Sequence, residues 1–111
     1  MAKRDVTDLI ERQPALEERA GIRFEGLLAI LDEEGYAGEP RIEMLGEIVA
    51  HPGEKFASNV NVQFVCLNEK RQVLGTQYTS VSEGAYGYEA FQESVDLKGE
   101  LAIIKIVPLC R

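Results

Sequence analysis

Most of the chain alternates between apolar and polar side chains with a period of two residues. The clearest example is the run NVNVQFVCL at positions 59–67, in which two valines, a phenylalanine and a cysteine fall on one side of an extended chain. About six or seven runs of this kind follow one another at spacings of roughly ten residues, separated by short polar turns. Because no connection between them is long enough for a crossover helix, we predict an all-β chain of antiparallel strands, packed as a sandwich or a barrel.

Two of these runs predict core faces in particular detail. The run at 22–31 alternates on one face, although its far half is apolar on both sides. The predicted inward residues are Ile22, Phe24, Gly26, Leu28 and Ile30 in this run, and Ile42, Met44, Gly46 and Ile48 in the next. Turn chemistry predicts chain reversals at 32–35 (DEEG), 51–54 (HPGE), 68–71 (NEKR) and 98–99 (KG).

The first twenty residues follow a different period. Val6, Leu9, Ile10 and Leu16 recur at helical spacing with charged residues between them, which predicts an amphipathic helical segment over residues 1–20. We expect its apolar side to cover an open end or an edge of the sheets.

Pro14 leaves two alternatives for this helix, because proline is tolerated in a first turn but not in a helix interior. Either the helix ends near Arg12, or a new turn of helix starts at Pro14 and runs to Gly21, which is a typical stop signal. The chain, residues 1–111, is long enough for one core only, and we interpret residues 22–107 as the β-sandwich of a single domain.

The net charge of −7 excludes several classes of partner. After the first four residues no cluster of Lys and Arg is longer than Lys70-Arg71. Nucleic-acid binding needs basic clusters to neutralise phosphates, so we expect no nucleic-acid partner. The same sign of charge disfavours an anionic membrane surface. Because the sequence lacks an apolar run of membrane-spanning length and a secretory leader, we also expect a cytoplasmic protein.

Side chains suited to catalysis or metal binding are sparse. His51 is the only histidine, and with two distant cysteines, Cys66 and Cys110, it gives no spacing typical of zinc sites. The acidic run at 32–34 lacks the alternating carboxylates of a calcium-binding loop. No elbow-like turn surrounds a serine or cysteine nucleophile. We therefore expect no enzyme activity, no metal site and no cofactor, while a disulfide between Cys66 and Cys110 is conceivable if their strands are neighbours.

The segment GAYGYEAF, residues 84–91, concentrates glycine and aromatic residues. It carries no GxGxxG fingerprint, which excludes a phosphate-binding loop. Tyr86 and Tyr88 are two residues apart, so on a strand both rings face one side and could stack on a sugar or on an apolar anchor of a partner. The two glycines also permit a bulge or a tight corner, with Phe91 filling the core. Both interpretations, a core-closing strand and a recognition surface, stay open.

Four elements within residues 42–107 occur in an order that resembles a known group of bacterial domains. They are 46–48 (GEI), 60–68 (VNVQFVCLN), 71–75 (RQVLG) and 87–91 (GYEAF). Together they resemble the FxLYD-type β-sandwich domains and similar immunoglobulin-like modules of uncharacterised function. The namesake motif departs here, because FVCLN shifts the leucine and ends in asparagine. The resemblance implies an antiparallel immunoglobulin-like β-sandwich of about six to seven strands and brings no catalytic residue with it.

These observations favour a non-catalytic binding or structural module in a bacterial cell. The first hypothesis is protein recognition, in which an edge strand or the Tyr86 and Tyr88 face contacts a protein partner or a second copy of the chain. The alternative hypothesis is a module that binds a small ligand, a carbohydrate or Ca²⁺, at the loop ends.

Overall fold

The computed structural model describes residues 3–36, 38–50, 55–56, 59–85 and 87–110, without the side chains of Tyr36 and Cys110. Within this part of the chain lie eight strands, one α-helix and one short 3₁₀ helix. Their bounds in chain order are β1 (Lys3–Asp5), the 3₁₀ helix (Thr7–Leu9), β2 (Ile10–Glu11), α1 (Pro14–Ala20), β3 (Ile22–Tyr36), β4 (Glu39–Ala50), β5 (Val60–Leu67), β6 (Val73–Val81), β7 (Tyr88–Asp96) and β8 (Ile103–Cys110).

The strands form two four-stranded sheets. Sheet 1 has the order β1-β3-β4-β7, and sheet 2 has the order β2-β8-β5-β6. The pairings are antiparallel except that of β2 with β8, which is parallel. The prediction of an all-β chain is confirmed. The strand number exceeds the predicted six or seven, because β1 and β2 lie in the segment that the sequence pattern assigns to a helix.

The inward faces of the two sheets meet in one apolar core. The predicted inward faces of β4 and β5 are confirmed, because their alternate apolar side chains are almost fully buried. These side chains are Ile42, Met44, Ile48, Val60, Val62, Phe64 and Cys66. Phe64 of sheet 2 contacts Phe91 of sheet 1, with ring centroids 5.3 Å apart. This aromatic pair therefore joins the two sheets at the centre of the core.

Strand β3 changes its buried face halfway along, which the alternating pattern does not predict. Glu25 lies opposite Glu47 and Leu28 lies opposite Leu45, so β3 carries one extra residue between these two pairs. Gly26 has a φ of 62°, a left-handed conformation that glycine adopts readily at such a bulge. The bulge exchanges the two faces of the strand. The prediction that Leu28 and Ile30 face inward with Ile22 and Phe24 is wrong, and Ala29 and Leu31 are buried in their place.

The acidic run Asp32-Glu33-Glu34 does not reverse the chain where the sequence predicts. Strand β3 continues to Tyr36, which pairs with Glu39, so the reversal follows the acidic run. Asp32 Oδ1 accepts hydrogen bonds from the backbone N–H groups of Gly35 (3.0 Å) and Glu34 (3.2 Å). These bonds lower the pKa of the Asp32 carboxyl, and they hold an irregular stretch within the strand instead of a turn.

The other predicted turns have different outcomes. The segment 51–54 lies outside the described residues. The turn at 68–71 is confirmed, since Asn68 Oδ1 accepts hydrogen bonds from the backbone N–H groups of Lys70 and Gln72, both at 2.9 Å. Residues 98–99 lie in the connection between β7 and β8, which leads from one sheet to the other and so forms no hairpin.

The predicted helical segment over residues 1–20 is wrong in its first half. Asp5 Oδ1 accepts hydrogen bonds from the hydroxyl and the backbone N–H of Thr7, and Thr7 Oγ1 accepts one from the backbone N–H of Ala29. Both hydrogen bonds from Thr7 lower the pKa of the Asp5 carboxyl, and the bond from the hydroxyl has the larger effect. Because these side-chain bonds compete with helical ones, residues 3–5 pair with β3 as a strand. The second alternative for Pro14 is confirmed, since α1 begins there and ends at Gly21, which has a φ of 70°.

An ion pair closes the N-terminal segment onto the core. Arg12 Nη2 donates to Glu17 Oε1 at 2.6 Å, and Arg12 Nε donates to Glu17 Oε2 at 3.2 Å. The Glu17 side chain is only 8% exposed, whereas that of Arg12 is 44% exposed. The hydrogen bonds that Arg12 donates to Glu17 raise the pKa of Arg12, and the Arg12 guanidinium lies 5.9 Å from the centre of the Phe24 ring. The pair thus links β2 and α1 to β3.

Candidate functional site

Within the segment 84–91, Phe91 is buried in the core, and the other described residues are exposed or half-buried. The Phe91 ring packs over Gly46, its cross-strand neighbour, where a Cβ atom would lie only 3.1 Å from the ring. Tyr88 is 60% exposed and points away from the core, while Tyr86 lies outside the described residues. The prediction that Phe91 fills the core is confirmed. The pairing of Tyr86 with Tyr88 as a recognition surface stays a prediction.

The outer face of sheet 1, where Tyr88 lies, is rich in charge. Its outward residues on β3, β4 and β7 are Arg23, Glu25, Leu28, Ile30, Asp32, Arg41, Glu43, Leu45, Glu47, Val49, Tyr88, Ala90, Gln92, Ser94 and Asp96. Seven of these fifteen are charged, and five of the seven are acidic. Glu25 and Glu47 even lie directly opposite each other, which is unfavourable for two like charges. A solvated surface suits this face, because burying so many carboxylates against a partner would be costly.

The outer face of sheet 2 has the opposite character. We define the sheet 2 face as the nine outward residues at the centre of β8, β5 and β6: Lys105, Val107, Leu109, Asn61, Gln63, Val65, Thr76, Tyr78 and Ser80. Lys105 is the one charged residue among the nine. Glu11 of the short strand β2 lies opposite Lys105 in the strand register at the border of the face. The sheet 2 face is therefore almost free of charge in a chain of which 28% of the residues are charged.

The strand register orders the sheet 2 face into three rows across the strands. Asn61 lies between Leu109 and Ser80, Gln63 between Val107 and Tyr78, and Val65 between Lys105 and Thr76. Gln63 is thus the central residue. Tyr78 is 60% exposed and Leu109 is 42% exposed, so a large hydrophobic side chain is accessible to solvent on each side of the face. Uncharged amides and hydroxyls with exposed aromatic and aliphatic side chains are typical of the centre of a protein interface.

The sheet edges formed by β6 and β7 are less available than the faces of the sheets. Edge strands β6 and β7 lie beside each other, and Gln77 Nε2 of β6 donates to the backbone oxygen of Ser94 in β7 at 3.4 Å. Glu89 and Glu93 of β7 lie opposite Ile48 and Met44, and so point to the core side. Inward-pointing charges on an edge strand oppose the addition of another strand. These features give strand addition to β7 less support than docking on a face.

The buried thiol of Cys66 is unsuited to nucleophilic chemistry. Cys66 is fully buried in the core, and desolvation raises the pKa of its thiol to about 12. A disulfide with Cys110 is excluded by the register, although β5 and β8 are neighbours. Cys66 pairs with Ile104, whereas Cys110 pairs with Val60, so six residues of strand, roughly 20 Å, separate the two positions.

The Cys66 thiol is expected to react with a thiol reagent at pH 8 no faster than the protein unfolds. Because the thiolate is the reactive form and its pKa is about 12, both burial and protonation protect Cys66. The measurement uses a Cys110→Ser variant, so that Cys66 is the only thiol, with the same variant in denaturant as the fully reactive control. Stoichiometric labelling of the folded protein within seconds would contradict this burial.

Neither a metal-binding cluster nor a membrane-spanning helix is found among the described residues. No group of three or more His, Cys, Asp or Glu side chains among them is arranged to hold a metal ion. The acidic run at 32–34 instead uses Asp32 Oδ1 for backbone hydrogen bonds, and His51 lies outside the described residues. The same part of the chain contains no helix with the length and apolar character needed to cross a bilayer.

The sheet 2 face was not predicted as a candidate site from the sequence. The alternation in the run at 59–67 indicates only that Asn61, Gln63 and Val65 face away from the core. A usable signal was present, since the outward positions of the runs at 60–67, 73–81 and 103–110 carry mostly amide, hydroxyl, aromatic and aliphatic groups, with Lys105 as the one charge at the centre. The adjacency of β8 and β5 was needed to join these positions into one surface.

Comparisons with known proteins give no further guide to the site. No protein-family model matches the chain, and neither a curated protein nor a solved structure matches it.

Proposed function

We propose that the protein is a non-catalytic protein-binding module that contacts its partner through the sheet 2 face. The observation that carries this proposal is the contrast between the two outer faces. One charged residue among nine lies on the sheet 2 face, against seven among fifteen on the outer face of sheet 1. Protein-binding surfaces are depleted of charge at their centre, because each buried charge must be desolvated.

The exposed side chains of the sheet 2 face suit an anchoring role. Tyr78 can bury its ring against a partner and keep its hydroxyl for a hydrogen bond, and tyrosine is enriched among the residues that dominate binding energy. Gln63 at the centre is exposed and has no charge to desolvate. Tyr88, which is also well exposed, lies beside Val49 and Ala90 on a face rich in acidic groups, and so has less support as an anchor.

We also propose that the two sheets form an immunoglobulin-like sandwich of the FxLYD type. In the immunoglobulin arrangement strands A, B and E share one sheet, and strands C and F share the other. With β3 to β8 taken as A to F, the pairs β3–β4, β4–β7 and β5–β8 agree with this arrangement. Strand β6 departs from it, since it pairs with β5. The pairing supports the fold proposal and carries no function with it.

A small-ligand module is the second candidate, favoured by one depression at a loop end. This depression, of about 280 Å³, is lined by Asn68, Glu69, Lys70, Gln72, Glu100 and Leu101. The Asn68 side chain is already engaged in its own turn, so the two glutamates and Lys70 are the groups left for a carbohydrate or Ca²⁺. No aromatic side chain lines the depression, which weakens the case for a sugar.

The protein-binding proposal is tested by affinity capture from a lysate of the source cells with three baits: the wild type, Gln63→Glu and Gln92→Glu. Both substitutions add one negative charge at an exposed glutamine, but Gln92 lies on the outer face of sheet 1. We expect a stoichiometric partner with the wild type and Gln92→Glu and its loss, by at least about tenfold, with Gln63→Glu. A partner that all three baits retain would contradict the proposal. No partner with any bait, together with a wild type that stays monomeric at millimolar concentration, would favour the small-ligand candidate, to be tested by melting temperature with Ca²⁺ and sugars.

A further inference from the structure

Resting on the proposed function, we infer that the partner of the sheet 2 face is a second copy of the same chain, bound face to face about a twofold axis. Homo-oligomers with twofold symmetry are the most common assemblies of soluble proteins, and such a contact requires a surface that complements itself. The charge and the strand register of the sheet 2 face are compatible with such a self-contact, and the size of the face indicates how strong the contact is.

Charge restricts how two copies can meet. Each copy carries a net charge of −7, so the copies repel each other unless they meet where acidic groups are absent. The nine residues of the sheet 2 face include no acidic side chain. The outer face of sheet 1 holds five acidic side chains, two of which, Glu25 and Glu47, are already opposed within one copy. A symmetric contact there would bring further carboxylates together.

The rows of the sheet 2 face complement one another under a twofold axis. An axis in the interface plane, parallel to β5 and passing over Gln63, places β6 of each copy over β8 of the other. Tyr78 of one copy then lies over Val107 of the second copy, an aromatic group on an aliphatic one. Lys105 lies over Thr76, so the single cation of each face meets no like charge. The two Gln63 side chains meet on the axis, where amides can both donate and accept hydrogen bonds.

The size of the face sets the strength of the contact. The face is three strands wide, with a strand spacing of about 4.8 Å, and five residues long, with a rise of about 3.3 Å per residue. Its area is therefore well below the roughly 800 Å² that each partner of a standard interface buries. We therefore expect a weak, transient dimer with a dissociation constant of about 0.1–1 mM.

A charge exchange at Gln63 tests this inference, because this residue meets its own copy on the axis. Gln63→Glu places two carboxylates together and Gln63→Lys places two ammonium groups together, so each variant alone is expected to dimerise at least about tenfold more weakly than the wild type. An equimolar mixture of the two variants pairs opposite charges and is expected to restore the dimer. The matched control is the pair Gln92→Glu and Gln92→Lys on the outer face of sheet 1, which should leave the wild-type dissociation constant unchanged. Sedimentation velocity at protein concentrations from about 10 μM to about 1 mM and about 0.15 M salt measures all of these.

The outcomes separate this inference from the proposed function. Restoration of the dimer in the Gln63 mixture, and no effect at Gln92, would support self-association through the sheet 2 face. A wild type that is monomeric at the highest concentration, or a dimer that persists in Gln63→Glu, would overturn it. If the wild type is monomeric but capture yields a different protein that Gln63→Glu loses, the face binds a heterologous partner and only the self-association fails. A monomer with no captured partner would overturn both.

Discussion

Replacement of Phe64 by alanine is expected to lower the free energy of unfolding by about 3–5 kcal/mol, the largest effect of any single substitution considered for this protein. Phe64 is fully buried on the central strand of sheet 2, and its ring contacts that of Phe91 on sheet 1. Alanine removes most of this buried apolar surface and leaves a cavity between the sheets, because strands held by ladders on both sides cannot close it. Chemical denaturation, monitored by circular dichroism, measures the change.

Two controls separate the core from the surface in this experiment. Phe64→Leu keeps most of the apolar volume and is expected to cost only about 1–2 kcal/mol. Tyr88→Ala removes an aromatic ring that is 60% exposed and should change stability by less than about 0.5 kcal/mol. A loss below about 1 kcal/mol for Phe64→Ala would show that this ring does not join the two sheets.

Arg12→Ala is expected to be the second most damaging change, with a loss of about 2–3 kcal/mol. Glu17 is 8% exposed and receives two hydrogen bonds from the Arg12 guanidinium, so removal of Arg12 leaves a buried carboxylate without its cation. The loss is smaller than for a fully buried pair, because Arg12 is itself 44% exposed. The substitution also removes the contact between the guanidinium and the Phe24 ring. Urea denaturation with a double-mutant cycle of Arg12→Ala and Glu17→Ala measures the coupling.

The matched control for this ion pair is Arg23→Ala. Arg23 Nε lies 3.4 Å from Glu25 Oε2, but both side chains are at least half exposed, so the loss should stay below about 1 kcal/mol. Glu17→Gln should also cost less than Arg12→Ala, because the amide retains one hydrogen-bond acceptor and leaves no uncompensated charge. Equal losses for Arg12→Ala and Arg23→Ala would mean that Glu17 is hydrated in solution.

The fold class could be predicted from sequence because most strands bury one face. Alternation of period two marks such strands directly, and it placed Ile48 of β4 and Phe64 of β5 in the core correctly. It failed in β3, where the left-handed Gly26 inserts a residue and exchanges the faces. A bulge of this kind depends on the partner strand, which a local pattern does not contain.

The N-terminal segment shows how local signals fail at a short strand. The helical spacing of apolar residues is present, but the side-chain bonds between Asp5 and Thr7, and the pairing of residues 3–5 with β3, decide the outcome. That pairing is distant in sequence and is stabilised by the sheet itself. Pro14 and Gly21 were informative because their backbone restrictions are intrinsic to the residue.

The candidate site was harder to predict than the fold. The glycine and tyrosine cluster is conspicuous in the sequence, yet in the structure Phe91 lies in the core and Tyr88 lies beside Val49 and Ala90 on the acidic outer face of sheet 1. The sheet 2 face has no motif, because its property is a lack of charge spread over three strands. That property emerges only when the strand order brings β8, β5 and β6 together.

Self-association through the sheet 2 face is tested by backbone amide NMR spectra of the wild type recorded from dilute to millimolar protein. We expect concentration-dependent shifts that cluster at Gln63, Val65, Tyr78 and Val107 and leave the outer face of sheet 1 unchanged. Shifts confined instead to Leu45, Tyr88 and their neighbours on sheet 1 would contradict it.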